Sequence, residues 1–314
     1  MGRYIRTLIY TAAVTTVVLL GIQARAEAGG VQIAVLTSQD AAPYQEVLTG
    51  FRQYLEQHAR DVTLTVHPLQ GNADRASQEL QQIKQEHVQL LFTLGSLATQ
   101  AAVRSGSELP LLASLILNAD DLKQAKNATG VGLEFPTDTQ LQWLRKLLPT
   151  QLTIGVLFNA GENEQKIEAA AQVAQKLGLK LMAREVAAPQ ELPEAMNSLS
   201  NQADVLWGIT DQIVLSPQTA EPILLFSFRN RIPFVGLSTS WVKAGALYAL
   251  DRDYTDLGTQ CGEIAQRVLQ GTPAGTVPFA TPRKILYSLN LKTASYMKID
   301  MPQALVEGAS QVFR

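Results

Sequence analysis

Short apolar runs alternate with longer amphipathic stretches along this chain, and the whole alternation occurs twice. Alternation of that kind is the pattern of a parallel sheet covered by helices, so its doubling asks for two similar α/β lobes. In the first half VQIAVL (Val31 to Leu36) precedes a helical pattern from about Tyr44 to His58. TLTVHPL, a helix from about Asp74 to Gln85, VQLLFTLG ending at Gly95, a helix from Ser96 and the strand LPLLASLI follow. The second half repeats the order as LTIGVLFN, a helix from about Asn163 to Leu177, LKLMAREV, a helix from Gln190 to Leu199, ADVLWGIT, a helix after Ser216 and IPFVGLST. Four strands align with four strands at a period of roughly 120 residues, which is domain duplication rather than a solenoid of 20–50-residue repeats. Every connection is long enough for a right-handed crossover helix, so each half is expected to form its own parallel sheet with helices on both faces.

The halves meet at TGVGLEFPTD, where Pro136 stops a strand and Thr137 or Asp138 caps the helix DTQLQWLRKLLP. After the second set come a strand-like ALYALDRD, a helix closed by Gly271, a Pro- and Gly-rich stretch (TPAGTVPFATP) and a further strand, KILYSLNL. These pieces exceed what one lobe needs. The chain is therefore expected to cross back to lobe one and return, so that several strands form a hinge: lobe one from residues 29–132 plus about 252–272, lobe two from 133–251 plus a hinge-crossing tail of about 276–314.

At the amino terminus Arg3 and Arg6 precede an apolar run from Leu8 to Ile22 and then Ala24-Arg25-Ala26. A charged start, a core of about 15 residues and an A-x-A site read as a secretory signal peptide spanning 1–26, whereas a spanning helix needs roughly 20 apolar residues. No cysteine near the site offers a lipidation point, and Cys261, alone in the sequence, cannot form an internal disulfide. The formal charge is −2, and the expected export segment carries three arginines and no acid, which leaves −5 for the remainder. Lys and Arg are scattered singly among acids, so nothing favours a nucleic-acid partner, which would need a basic face.

The order of TLGSLATQAA, TGVGLEFP, IGVLFNAGENEQ, GITDQIVLS, GALYALDRDYTDLG and LNLKTA resembles the periplasmic substrate-binding components of ABC transporters, the family that includes tryptophan- and tyrosine-binding members. The likeness covers essentially the whole chain after the export segment. It implies a type I periplasmic-binding-protein fold, a small-molecule ligand held between lobes, and delivery to an inner-membrane ABC permease or another envelope transport protein.

Open α/β sheets place ligands at the carboxyl ends of their strands, which selects the candidate contacts. Thr37, Ser38 and Gln39 follow the first strand, as hydrogen-bonding groups for a ligand or as caps for the next helix. Gly95-Ser96 joins a strand to a helix whose N–H groups and positive end suit a ligand carboxylate, although such junctions are common. Asn118 belongs to the same rim. In lobe two the candidates are Asn159, Asp211 and Gln212; the resemblance points to Asp211 as an acid for a ligand ammonium, with helix capping as the alternative. Ser238 to Trp241 depart from the family, whose members often carry acids there; Trp241 offers a stacking surface or is a hinge or core residue. Asp253 approaches the ligand or holds the hinge.

Enzyme readings are weak. His58, His67 and His87 show no i, i+4 pair, which suggests neither a metal site nor a charge relay, and no phosphate-binding glycine motif follows the first strand. The expectation is a monomeric, non-catalytic periplasmic binder of an aromatic or amphipathic, amino-acid-like solute, with no cofactor and no metal. A carrier of a bulky lipid-like ligand, suggested by Phe135, Phe158, Trp207 and Trp241, and a ligand sensor without a transport role stand as alternatives.

Overall fold

A computed structural model describes residues 30–59 and 61–314; the expected export segment lies outside the described residues. The first sheet contains β1 (Val31–Thr37), β2 (Val62–Pro68), β3 (Leu90–Leu94), β4 (Leu111–Ser114) and β5 (Ala128–Val131) in the order β2-β1-β3-β4-β5, all parallel. Its helices are α1 (Ala42–His58), α2 (Arg75–Gln85) and α3 (Ser96–Arg104). Every residue of β3 and β4 is buried, as the covered faces of a parallel sheet require. Strand alternation sends Ile33 and Val35 of β1 into one apolar cluster with α1, and Ala34 and Leu36 into another with α2 and α3.

The second half opens with α4 (Thr137–Leu147). It continues with β6 (Thr153–Phe158), α5 (Ala160–Lys176), β7 (Lys180–Glu185), α6 (Leu192–Leu199), β8 (Val205–Trp207), α7 (Ala220–Asn230), β9 (Phe234–Gly236), α8 (Thr239–Ala244) and β10 (Tyr248–Arg252). Its sheet, completed by β11 (Ile285–Asn290) and β12 (Gln311–Phe313), runs β12-β11-β10-β9-β8-β6-β7. The order β7-β6-β8-β9-β10 reproduces β2-β1-β3-β4-β5, so the duplication seen in the pattern is a duplication of topology.

Two details differ from the sequence expectation. Each half repeats five strands rather than four, because β5 and β10, read from sequence as boundary and tail segments, pair in register with β4 and β9. The second sheet is also not wholly parallel. After β10 the chain enters α9 (Tyr254–Leu269), whose Leu257, Cys261, Ile264, Ala265 and Val268 lie in the lobe-one cluster with α1. It pairs briefly beside β5 through Ala280 and returns as β11 (Ile285–Asn290), antiparallel to β10. Then α10 (Leu291–Met297), α11 (Gln303–Glu307) and β12 (Gln311–Phe313) close the lobe.

The lobes are thus joined at three places, residues 132–136, 252–253 and 281–284. Docking of α9 on α1 is unusually close: a Cβ built at Gly50 would lie 1.9 Å from the Thr255 carbonyl oxygen, and one at Gly258 2.0 Å from that of Val47. Only hydrogen at both positions lets the two backbones approach so far. At the third crossing Arg283 makes charge-assisted bonds to both Asp256 and Glu263 of α9.

Candidate functional site

A cavity of about 240 Å³ opens at the carboxyl edge of the second sheet and is walled from both sides of the hinge. Alternation along β10 puts Tyr248, Leu250 and Arg252 on the face that lines it. Trp207 and the following Gly208-Ile209-Thr210 come from the end of β8, and Val235 to Leu237 from the end of β9. Phe135 and Gln140 belong to the first crossing and the start of α4. Lobe one contributes Leu117, and the first crossing adds Leu133. Leu115, held in the left-handed region at φ 57°, turns the chain after β4, and Leu117 emerges on the rim with 46% exposure. The rim is sewn to the first crossing by the Leu133 amide donating to Ile116 (2.8 Å) and the Glu134 amide donating to Leu117 (3.1 Å).

The walls are held in fixed orientations. The Trp207 indole N–H donates to the Gln140 side chain at 3.1 Å, and that amide donates in turn to the Phe135 carbonyl at 2.7 Å. Tyr248 is 1% exposed, and burial pushes its phenol well above the ordinary tyrosine range. The Arg252 guanidinium lies 5.4 Å from the centre of the Phe135 ring, within cation–π range. Its Nε is buried without a hydrogen-bond partner among the described residues. The nearby Asp251 oxygen is 3.9 Å from that nitrogen, beyond hydrogen-bond reach. Glu134, also on the wall, is engaged by Lys166 of α5.

None of the twelve residues singled out from sequence lines this cavity. Thr37 and Ser38 are each 4% exposed. Ser38 ties the β1–β3 junction together: its amide donates to Leu94, its carbonyl accepts from Gly71, and its hydroxyl accepts the Ala98 amide of α3 at 2.9 Å. Gly95, at φ 87°, leaves the room that Ser38 and Tyr44 fill, since a Cβ there would meet both side-chain oxygens at 2.6 Å. Gln39 packs by its side-chain amide against Gly71, while Ser96 is exposed. Asn118 accepts the Asp120 amide at the start of a short 3-10 turn.

In lobe two the Asp211 carboxylate is 3% exposed and accepts four hydrogen bonds, from the Asn159 amide (2.6 Å), the Asn163 side chain (3.0 Å) and the amides of Ile213 (3.0 Å) and Val214 (2.8 Å). It is the bracket that joins the ends of β6 and β8. Asn159 further donates its side chain to Val186, and the Gln212 amide donates to Glu162. Ser238 and Trp241 stand at the start of α8, a helix where the sequence suggested a loop; the Ser238 carbonyl accepts the Trp241 amide, and the indole packs edge-on against Phe234. Asp253 caps α9 through the Asp256 amide and pairs with Lys284 at the hinge. His67 is bridged to Glu79 and Glu86 at 3.1 Å each, a structural role, and no cluster of metal-binding side chains occurs among the described residues.

Sequence reasoning named Phe135 and Trp207 only for a bulky apolar ligand and passed over Arg252. Its signal was the alternation in ALYALDRD, which puts an arginine on the same face as Tyr248 at a strand end. A larger depression of about 610 Å³ surrounds Gly106 to Pro110, but it lies at the amino edge of the first sheet, away from where such sheets take ligands.

A family described as ABC transporter substrate binding protein matches residues 31–313. A tyrosine-binding protein of Clostridioides difficile is 26% identical over 202 residues, 61% of this chain; the match spans only 58% of that relative's length. An uncharacterised protein of Rickettsia prowazekii is 21% identical over 273 residues, 86% of each chain. Among solved structures, a substrate-binding protein with adhesive properties from Clostridium difficile, in its ligand-free, open form, is 20% identical and covers 90% of this chain and 99% of its own, with a TM-score of 0.74. An ABC domain from Streptococcus pneumonia in complex with L-Trp, also 20% identical, covers 90% of this chain and 100% of its own at 0.61. At those identities the likeness establishes the two-lobed periplasmic-binding fold.

Proposed function

The chain belongs to the ABC transporter substrate-binding protein family, one of solute binders rather than enzymes, and we propose that it captures a small molecule with an aromatic body and one polar end and hands it to an inner-membrane ABC permease. The cavity walled by Phe135, Trp207, Tyr248 and Leu250 with Arg252 at its edge carries this reading. Apolar walls with a few fixed polar groups are what small-molecule sites present. The tyrosine-binding relative and the fold neighbour holding L-Trp point to the same class. A cavity of about 240 Å³ is also small for a bulky lipid, since sites for drug-sized molecules begin near 300 Å³.

The ligand enters from the lobe-two side and the lobes close about the three crossings, which brings the exposed Ser96 and Asn118 of lobe one onto it. Export to the periplasm fits the arginine-led apolar start of the sequence, and no helix of the described residues is long and apolar enough to cross a membrane. Calorimetry and thermal unfolding against a panel of aromatic amino acids and their deaminated, decarboxylated and ring-only relatives test the ligand class. Binding and a raised unfolding midpoint are expected for at least one aromatic member; silence from the whole panel overturns the reading.

A further inference from the structure

Resting on that reading, we infer that the ligand's polar end is a lone anion, a carboxylate seated on Arg252, and that the preferred solute is an aromatic acid without an ammonium group. Arg252 brings a permanent positive charge to the cavity wall, and its Nε is buried with no acceptor. A buried donor without a hydrogen bond is costly in a protein interior even with the Asp251 carboxylate 3.9 Å away, and a carboxylate is the group whose two oxygens fit a guanidinium edge. The site therefore holds a donor for an anion.

The carboxylates at or beside the cavity already have partners among the described residues. Glu134 is engaged by Lys166. Asp251 accepts the Thr239 hydroxyl at 3.1 Å and the Arg252 amide at 2.9 Å. Asp211 accepts its four bonds within lobe two. The Phe135 ring, which could otherwise receive an ammonium group, already carries the Arg252 guanidinium. An amino acid whose carboxylate sat on Arg252 would hold its ammonium group close to that same positive charge, where repulsion is strong in a partly desolvated cleft. Removing the amine leaves every favourable contact in place.

The test measures wild-type protein by calorimetry against matched pairs: hydroxyphenylpropionate with L-tyrosine, and indolepropionate with L-tryptophan. Indole and tryptamine serve as the neutral and cationic controls. The deaminated acid is expected to bind at least about tenfold tighter than its amino acid in one pair, with tryptamine not binding. Equal or tighter binding of the amino acids overturns this inference while leaving the aromatic reading intact, and binding by no aromatic compound overturns both. Arg252→Gln adds a readout that a structural role would not move: affinity for the acid falls by about tenfold or more, well beyond any change in affinity for indole. If affinity for both falls together, Arg252 is not the anion seat; if the variant does not fold, the wild-type pairs decide.

Discussion

The Arg252 guanidinium sits 5.4 Å above the Phe135 ring, so a residue on the second interlobe crossing rests on a residue of the first. Both side chains also line the cavity. Two of the three crossings between the lobes are therefore tied to each other at the wall of the cavity.

Phe135→Leu keeps an apolar side chain of similar bulk and removes the ring beneath Arg252. The expected cost to folding is below about 1.5 kcal/mol, while ligand affinity falls several-fold. Denaturant unfolding and calorimetry on the same preparation separate the two effects; a loss confined to stability would show that the ring has no part in binding.

Gly258→Ala is expected to destabilise by about 1–3 kcal/mol or more, as overpacking does. The sign is the informative part. Alanine in an exposed helix interior would stabilise by about 1 kcal/mol relative to glycine, but here the new methyl would meet the Val47 carbonyl at 2.0 Å. A raised thermal midpoint would contradict the close docking of α9 on α1.

Asp211→Ala removes the acceptor of four hydrogen bonds at a 3% exposed position. The loss is about 2–4 kcal/mol, since charged acceptors contribute more than neutral ones and the orphaned amides remain buried. Chemical denaturation reads it directly, and a change under about 0.5 kcal/mol, usual for a surface site, would refute the bracket role.

Burial pushes the Cys261 thiol up to about 12, so at neutral pH it is protonated as well as inaccessible and reacts poorly. Maleimide labelling of the native protein should be negligible and become complete in denaturant. Rapid labelling without denaturant would mean that α9 leaves lobe one readily.

Partial burial raises the Asp253 carboxyl, but its hydrogen bonds with Lys284 and the Asp256 amide outweigh that and hold it below its ordinary 3.8. A carboxyl lowered in the folded state adds stability above its unfolded value, and the contribution is lost as pH falls through the folded one. Stability from this group is thus constant near neutrality and declines below about pH 4. Asp253→Asn should flatten that acid limb of a stability–pH curve and leave the neutral region offset but parallel; an unchanged acid limb would exclude the hinge pair as its source.

Much of the architecture could be read in the sequence because it is local. Strand-to-helix alternation located eight of the repeated strands, and Gly271 marked a real helix end, whereas β5 ends at Val131, short of Pro136, which instead precedes α4. Two further strands were read, but not as members of the repeat. β5 lies in the segment read as the border between halves, and β10 opens what looked like a tail; only their pairing with β4 and β9 assigns them. At the site, the polar residues at strand ends were easy to name, yet Ser38, Asn118, Asp211 and Asp253 are engaged by backbone amides of their own lobe. A short polar side chain at a strand end can cap or bind, and composition does not distinguish the two.

The sequence by itself determined that there are two α/β lobes and that the chain returns to the first before ending in the second. Those properties follow from periodicity, which belongs to the chain at short range. Tertiary structure alone decided the cleft: that Gln140 holds the Trp207 indole, that Glu134 is engaged by Lys166, and that Arg252 is left with a buried nitrogen unpaired beside an aromatic wall. Each of these joins residues far apart in sequence, and whether a charge is free to meet a ligand depends on which partners packing brings within about 3 Å of it.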